Sequence, residues 1–172
     1  IPDKPSTRAA VDMALHDLVG KINGVPVHEL LGGSNRNRIT VAIEIAGDDP
    51  ERMAAHCRDL IAKGVRAFKP KIGGIPEDDA DRLQAIREAV GPDVSIRADA
   101  NRGYTPDEAI KLCRMAEDRG LGLELLEQPV LADDLEGMAH VRRSVGTLIE
   151  ADEAAFSPGD VMKIIKFEAA DV

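Results

Sequence analysis

VSIRADANRGYTPDEAIKLCRMAEDRGLGLELLEQP, residues 94–129, holds one complete structural period and the start of the next. The apolar run Val94–Ala100 ends in Asp99-Ala100-Asn101. Thr105-Pro106-Asp107-Glu108 then opens a helical pattern that Gly120 closes. A second apolar run, Leu121–Glu127, ends in Glu127-Gln128-Pro129. Asp99 and Glu127 are 28 residues apart, which suits one strand, one helix and two loops. Working outward, the unit recurs: Lys69-Pro70-Lys71 places Lys71 28 residues before Asp99, and Asp152-Glu153 places Asp152 25 residues after Glu127. A repeated β/α unit with a charged group at each strand's C-terminal end is how a (β/α) barrel builds an active site. The pattern predicts an α/β fold, an incomplete TIM-like (β/α)-barrel of about five β/α units plus the start of a sixth strand.

The remaining elements follow from the same signals. A leading helix over 5–22 starts at Pro5-Ser6-Thr7 and ends at Asn23-Gly24, so residues 1–37 read as this helix and its connection. Strands are expected at 38–46, 65–72, 94–100, 121–127 and 147–152. Helices are expected at 50–63, 76–90, 106–119, 133–144 and 158–166, with residues 169–172 opening the sixth strand. The sequence begins at Ile1 and stops at Val172 inside that strand, so it reads as a piece of a longer protein.

Composition narrows the class. With 22 basic and 31 acidic residues the formal charge is −9, which argues against nucleic acid or an acidic membrane surface as partner. No run of 18 apolar residues and no charged-then-apolar leader occurs, so neither a membrane span nor a signal peptide is expected. Cys57 and Cys113 lie within amphipathic helical patterns and read as reduced, buried thiols of a cytoplasmic protein. With no Trp, one Tyr and three Phe, the core must be aliphatic, as in a parallel sheet wrapped by helices.

Strand parity decides which charged groups can meet, because residues i and i+2 share a face. Lys69 and Lys71 are then co-facial, with Phe68 and Pro70 turned to the helices. Asp99 and Asn101 are co-facial, with Arg97 below them, while Glu127 goes with Leu125 and Asp152 with Glu150. With these sets facing inward, Asp99, Glu127 and Asp152 meet at one point and form a hard oxygen site that suits Mg²⁺, with Mn²⁺ the alternative. A metal on a substrate carboxylate would stabilise the enediolate formed when the α-proton leaves. Lys71, with its pKa pulled down by Lys69 and the cation, would be the base. Taken singly, each motif also reads as a solvated loop pair, a turn former or a helix cap; four of them in order at barrel spacing carry the argument. His16, His28, His56 and His140 fall away from the strand ends, and Gly32-Gly33 and Gly73-Gly74 suit tight turns rather than a phosphate cradle.

The ordered segments FKPKIGG (68–74), IRADANRGYT (96–105), LELLEQP (123–129) and IEADE (149–153) resemble the enolase superfamily, in its mandelate racemase and muconate lactonizing enzyme branches. RAAVDMALHDLVGKINGVPVHELLGG (8–33) is similar to the helix that leads into the barrel in that family. The resemblance implies an enolase C-terminal-domain barrel with Asp99, Glu127 and Asp152 as metal ligands, Lys71 as a general acid/base and Lys69 as its electrostatic support. Asn101, Arg97, Gln128 and Glu153 would touch the ligands or the substrate. Ala151-Asp152-Glu153 resembles the muconate-lactonizing branch, which carries a second lysine on the sixth strand, expected beyond Val172. The implied reaction is racemisation, epimerisation or cycloisomerisation of a small carboxylic acid or amino-acid derivative. The alternatives are dehydration of a hydroxy or sugar acid by the same half-reaction, or a non-catalytic barrel fragment. The family's N-terminal capping domain is expected to be missing from this piece, and the full-length protein is expected to be a homo-oligomer. Glu150 stands where the family has a small or apolar residue, and needs a lysine or Arg97 as partner.

Overall fold

The computed structural model describes residues 4–36 and 38–172. They fall into two compact units, divided between Ile39 and Thr40. In the first unit, α1 (Pro5–Asn23) is followed by the single turn α2 (Val27–Leu30). Pro5 opens α1, where its missing N–H costs nothing. Gly24 closes it in the left-handed region at φ 68°, and Val25 N–H donates back to Gly20 O at 3.0 Å.

The second unit alternates strand and helix: β1 (Ile43–Ile45), α3 (Pro50–Ala62), β2 (Ala67–Pro70), α4 (Pro76–Val90), β3 (Ser95–Asp99), α5 (Pro106–Asp118), β4 (Leu123–Glu127), α6 (Leu135–Ser144), β5 (Leu148–Glu150) and α7 (Pro158–Phe167). All ladders are parallel and the strand order is β1-β2-β3-β4-β5. Right-handed crossovers in a sheet of this order put every helix on one face, which is the wall of a barrel. Ile45, Phe68, Ile96, Ala98, Leu126 and Ile149 fill that face, packed on Met53, Leu83, Leu112, Cys113 and Met138. The core is aliphatic, as expected, with Phe68 its largest fully buried side chain.

Most strands are shorter than expected by a residue or two at one or both ends, and two boundaries differ more. The strand expected over 38–46 is only Ile43–Ile45, since Ile39 and Val41 are exposed and make no ladder. Residues 169–172 form no assigned strand, yet they lie along β5: Asp171 N–H donates to Ile149 O at 2.7 Å and Ala151 N–H to Val172 O at 3.0 Å. Between β3 and β4 the register runs Ile96 to Leu123 and then Arg97 to Leu125. Glu124 is therefore an extra residue, a β-bulge that bends the strand at that point.

Candidate active site

The face without helices carries the charged side chains. Glu44, Lys69, Arg97, Asp99, Glu127 and Glu150 share it by register, from β1 to β5. At its C-terminal rim the lysines meet two buried carboxylates. The Lys69 ammonium lies 2.7 Å from Glu127 Oε2 and 3.1 Å from Asp99 Oδ2, and donates to Glu127 Oε1 at 2.8 Å. Lys71 Nζ donates to Asp99 Oδ2 at 2.6 Å and to Asn101 Oδ1 at 3.0 Å, with Glu44 at 3.5 Å. Asn101 N–H donates to Asp99 Oδ1 at 2.9 Å, so both oxygens of that carboxylate are engaged.

Burial and neighbouring charges set the protonation of this cluster. Burial works to lower the pKa of Lys69, but its hydrogen bonds to Glu127 and Asp99 outweigh that and hold it well above the ordinary lysine value. Lys71 follows the same pattern: burial lowers, but Asp99 and then Glu44 raise, and the net direction is upward despite Lys69. Lys69 does act downward on Lys71, as expected, but the carboxylates beside it act more strongly in the other direction. Burial pushes Asp99 up, yet bonds from Lys71, Asn101 and Lys69 bring it below the ordinary aspartate value. Glu127 is raised, first by burial and then by Asp99 and Glu150, against the pull of Lys69.

The structure joins two of the three expected ligands. Among the described residues no set of three or more His, Cys, Asp or Glu side chains is arranged to hold a metal ion. Asp152 lies two residues past the end of β5, in the turn, with its side chain at the surface. Its backbone is fixed by Gln128, a fully buried side chain whose Oε1 accepts from Asp152 N–H at 3.1 Å and Ala154 N–H at 3.0 Å. Glu153 is held by Arg102 Nε at 3.2 Å and by Asn101 Nδ2 at 3.3 Å. Arg97 pairs with Glu124 at 2.9 Å, not with Glu150, because the bulge brings Glu124 to its side; Ser95 Oγ binds the same carboxylate. Glu150 has no ion pair among the described residues. Asn101, Arg102 and Gln128 adopt left-handed φ values of 42°, 68° and 37°, strain of a kind that collects at functional sites.

Sequence reasoning missed Glu44, Glu124, Asp79 and Tyr104. Glu44 was recoverable, since it alternates with Ile43 and Ile45 in a strand one step from Lys69-Pro70-Lys71. The four histidines lie on helices: His16 on α1, His28 on α2, His56 on α3 and His140 on α6.

Two known family profiles match this chain. Residues 52–172 match the family profile described as enolase C-terminal domain-like, and residues 3–32 match that of the mandelate racemase/muconate lactonizing enzyme N-terminal domain. The chain belongs to the mandelate racemase/muconate lactonizing enzyme family of the enolase superfamily. This family member is 41% identical over 167 residues to the L-Ala-D/L-Glu epimerase of Clostridium acetobutylicum, covering 97% of this chain and 46% of that protein. The solved N-succinyl Arg/Lys racemase of Bacillus cereus superposes with a TM-score of 0.93 at 37% identity, over 99% of this chain and 46% of that one. The Enterococcus faecalis dipeptide epimerase, solved with Mg and the dipeptide L-Leu-L-Tyr, gives a TM-score of 0.91 at 38% identity, over 97% and 46%. The chain thus spans less than half the length of the relatives it matches. Among the described residues no helix is long and apolar enough to cross a membrane.

Proposed function

We propose that this chain carries one wall of a site that moves the proton α to a carboxylate, so that the whole protein racemises or epimerises an amino-acid derivative such as a dipeptide. Cycloisomerisation of a small carboxylic acid uses the same half-reaction. The observation that carries this reading is the rim cluster itself, with one ammonium between two buried carboxylates and a second bonded to Asp99 and Asn101.

The donor set suits a hard cation: Asp99 and Glu127 are buried carboxylates that share the Lys69 ammonium, with Lys71 bonded to Asp99 as well. Asp99, Glu127 and, from the β5 turn, Asp152 would hold Mg²⁺, with Mn²⁺ as the alternative. Such an ion supplies positive charge to the substrate carboxylate and so lowers the cost of removing the adjacent proton. Lys71 takes that proton at Nζ and returns it in the reverse direction. Asn101 orients Nζ through its side-chain oxygen. Lys69 stays charged between its carboxylates, and its field favours both a neutral Lys71 and an anionic substrate. The two unbridged thiols support a reducing, cytoplasmic setting.

The test is α-proton exchange in D₂O, followed by NMR, using full-length protein, Mg²⁺, and a panel of dipeptides and N-acyl amino acids. Lys71→Ala and Asp99→Asn should each lose about 10²–10⁴-fold in exchange rate. Exchange that persists unchanged in both would refute the assignment. Chirality of the recovered substrate separates epimerisation from ring closure.

A further inference from the structure

Asp79 is a fully buried carboxylate in the first turn of α4, outside the rim cluster. Oδ2 is spent on other parts of the chain and Oδ1 on Arg82, one turn further along α4. Oδ2 accepts from Gly73 N–H at 3.1 Å, Gly74 N–H at 2.8 Å and the Tyr104 hydroxyl at 2.6 Å. Oδ1 accepts from Arg82 Nη1 at 2.7 Å, and Arg82 Nε donates in turn to Asp48 O at 2.9 Å. One carboxylate therefore joins the loops that follow β1, β2 and β3. A capping acid would bind N–H groups of its own helix; Asp79 binds loop amides and a phenol instead.

The loops it joins touch backbone to backbone. A Cβ on Gly103 would lie 2.3 Å from Gly73 O, and one on Gly73 would lie 2.4 Å from Ala100 O. Tyr104, also buried, accepts from Gly73 N–H at 3.2 Å, and its own N–H donates to Pro129 O at 3.0 Å. Lys71 stands two residues before Gly73, and Asn101 two before Gly103. Between them Ile72 N–H donates to Asp99 O at 2.9 Å.

We infer that Asp79 and Tyr104 are positioning residues, a buried strut that fixes the Lys71 backbone against Asn101 and Asp99. The inference rests on the role proposed above for Lys71. Neither residue touches the reacting atoms. They act by holding the base within the narrow range that proton transfer tolerates, where a displacement of about 1 Å costs up to about 10²-fold in rate. Burial, and then Asp79, push the Tyr104 hydroxyl far above its ordinary pKa, so it remains a donor at all working pH values.

The experiment compares Tyr104→Phe and Asp79→Asn with wild type in the full-length protein. The first readout is independent of catalysis: the acetylation rate of Lys71 by acetic anhydride, relative to exposed Lys63, from peptide mass spectrometry. The second is the kcat and KM of α-proton exchange. Tyr104→Phe should raise relative Lys71 labelling by about 3–10-fold and lower kcat about 10-fold, with KM within about twofold. Unchanged labelling in folded Tyr104→Phe overturns the strut, and so does raised labelling with kcat retained. If wild type shows no exchange, the reading of the function fails while labelling still decides the strut. Should Asp79→Asn fail to fold, Tyr104→Phe, which keeps the buried ring, carries the test alone.

Discussion

Lys69 shows what a single charge does here. Its ammonium is the shared counter-charge of Asp99 and Glu127, so Lys69→Met leaves two carboxylates facing each other. Because Lys69 is partly solvated, the expected loss is about 1–3 kcal/mol, below that for a dry pair. Thermal unfolding should show it, and added Mg²⁺ should recover more stability in the variant than in wild type. An equal response of both proteins to Mg²⁺ would contradict a shared cation site. Gln128→Ala leaves the Asp152 and Ala154 amides without their acceptor, costing about 1–3 kcal/mol. It should also weaken Mg²⁺ binding measured by calorimetry. The rim residues were legible because period-two parity and strand ends suffice to place Lys69, Lys71, Asp99 and Glu127. Asp79 was not: Glu77-Asp78-Asp79 after Pro76 reads as ordinary acidic filling of a helix start, and only tertiary packing distinguishes the third acid.

Among the elements, α5 owes most to local chemistry. Thr105 and Glu108 form a reciprocal capping box in front of the helix that bridges β3 and β4. Thr105→Ala should cost about 1 kcal/mol in chemical denaturation. Hydrogen bonds from Thr105 hold the Glu108 carboxyl below its ordinary value of 4.5. A carboxyl lowered in the folded state adds stability that is complete above 4.5 and fades as pH falls through the folded value. Glu108→Gln should therefore flatten the acid limb of the stability profile and leave its neutral region parallel to wild type. Caps of this kind made the helices readable to within a few residues. Strand ends were less so, since a ladder needs a partner: β1 is short because residues 38–42 find none, whatever their β-branched content.

Across the molecule, the two ends of the sheet divide the work. At the end opposite the rim, Arg87 donates to the carbonyls of Leu121, Gly91, Val94 and Gly122, tying the approaches to β3 and β4. Arg87→Ala should cost about 2–3 kcal/mol while leaving the KM of the full-length protein unchanged. Cys57 and Cys113 are pushed up by burial, to about 11 and about 12. Both should resist a thiol reagent at neutral pH and titrate together on unfolding. The repeat period and the aliphatic composition made the barrel wall legible, whereas the pairings inside it depend on the Glu124 bulge, which no composition or period announces.

That bulge works like an inserted letter in a two-letter code. Leu123 and Leu125 have the same parity, yet one packs in the helix-side core and the other lies on the charged face; the count restarts at Glu124, and Glu127 is read in the new frame. Removing Glu124 would restore plain alternation and leave Leu123 and Glu127 on their present faces, while Arg97 and Ser95 lose their acidic partner. One residue inserted between Leu126 and Glu127 should therefore be far more damaging, in thermal unfolding and in α-proton exchange, than the loss of Glu124, because it turns Glu127 toward the helices.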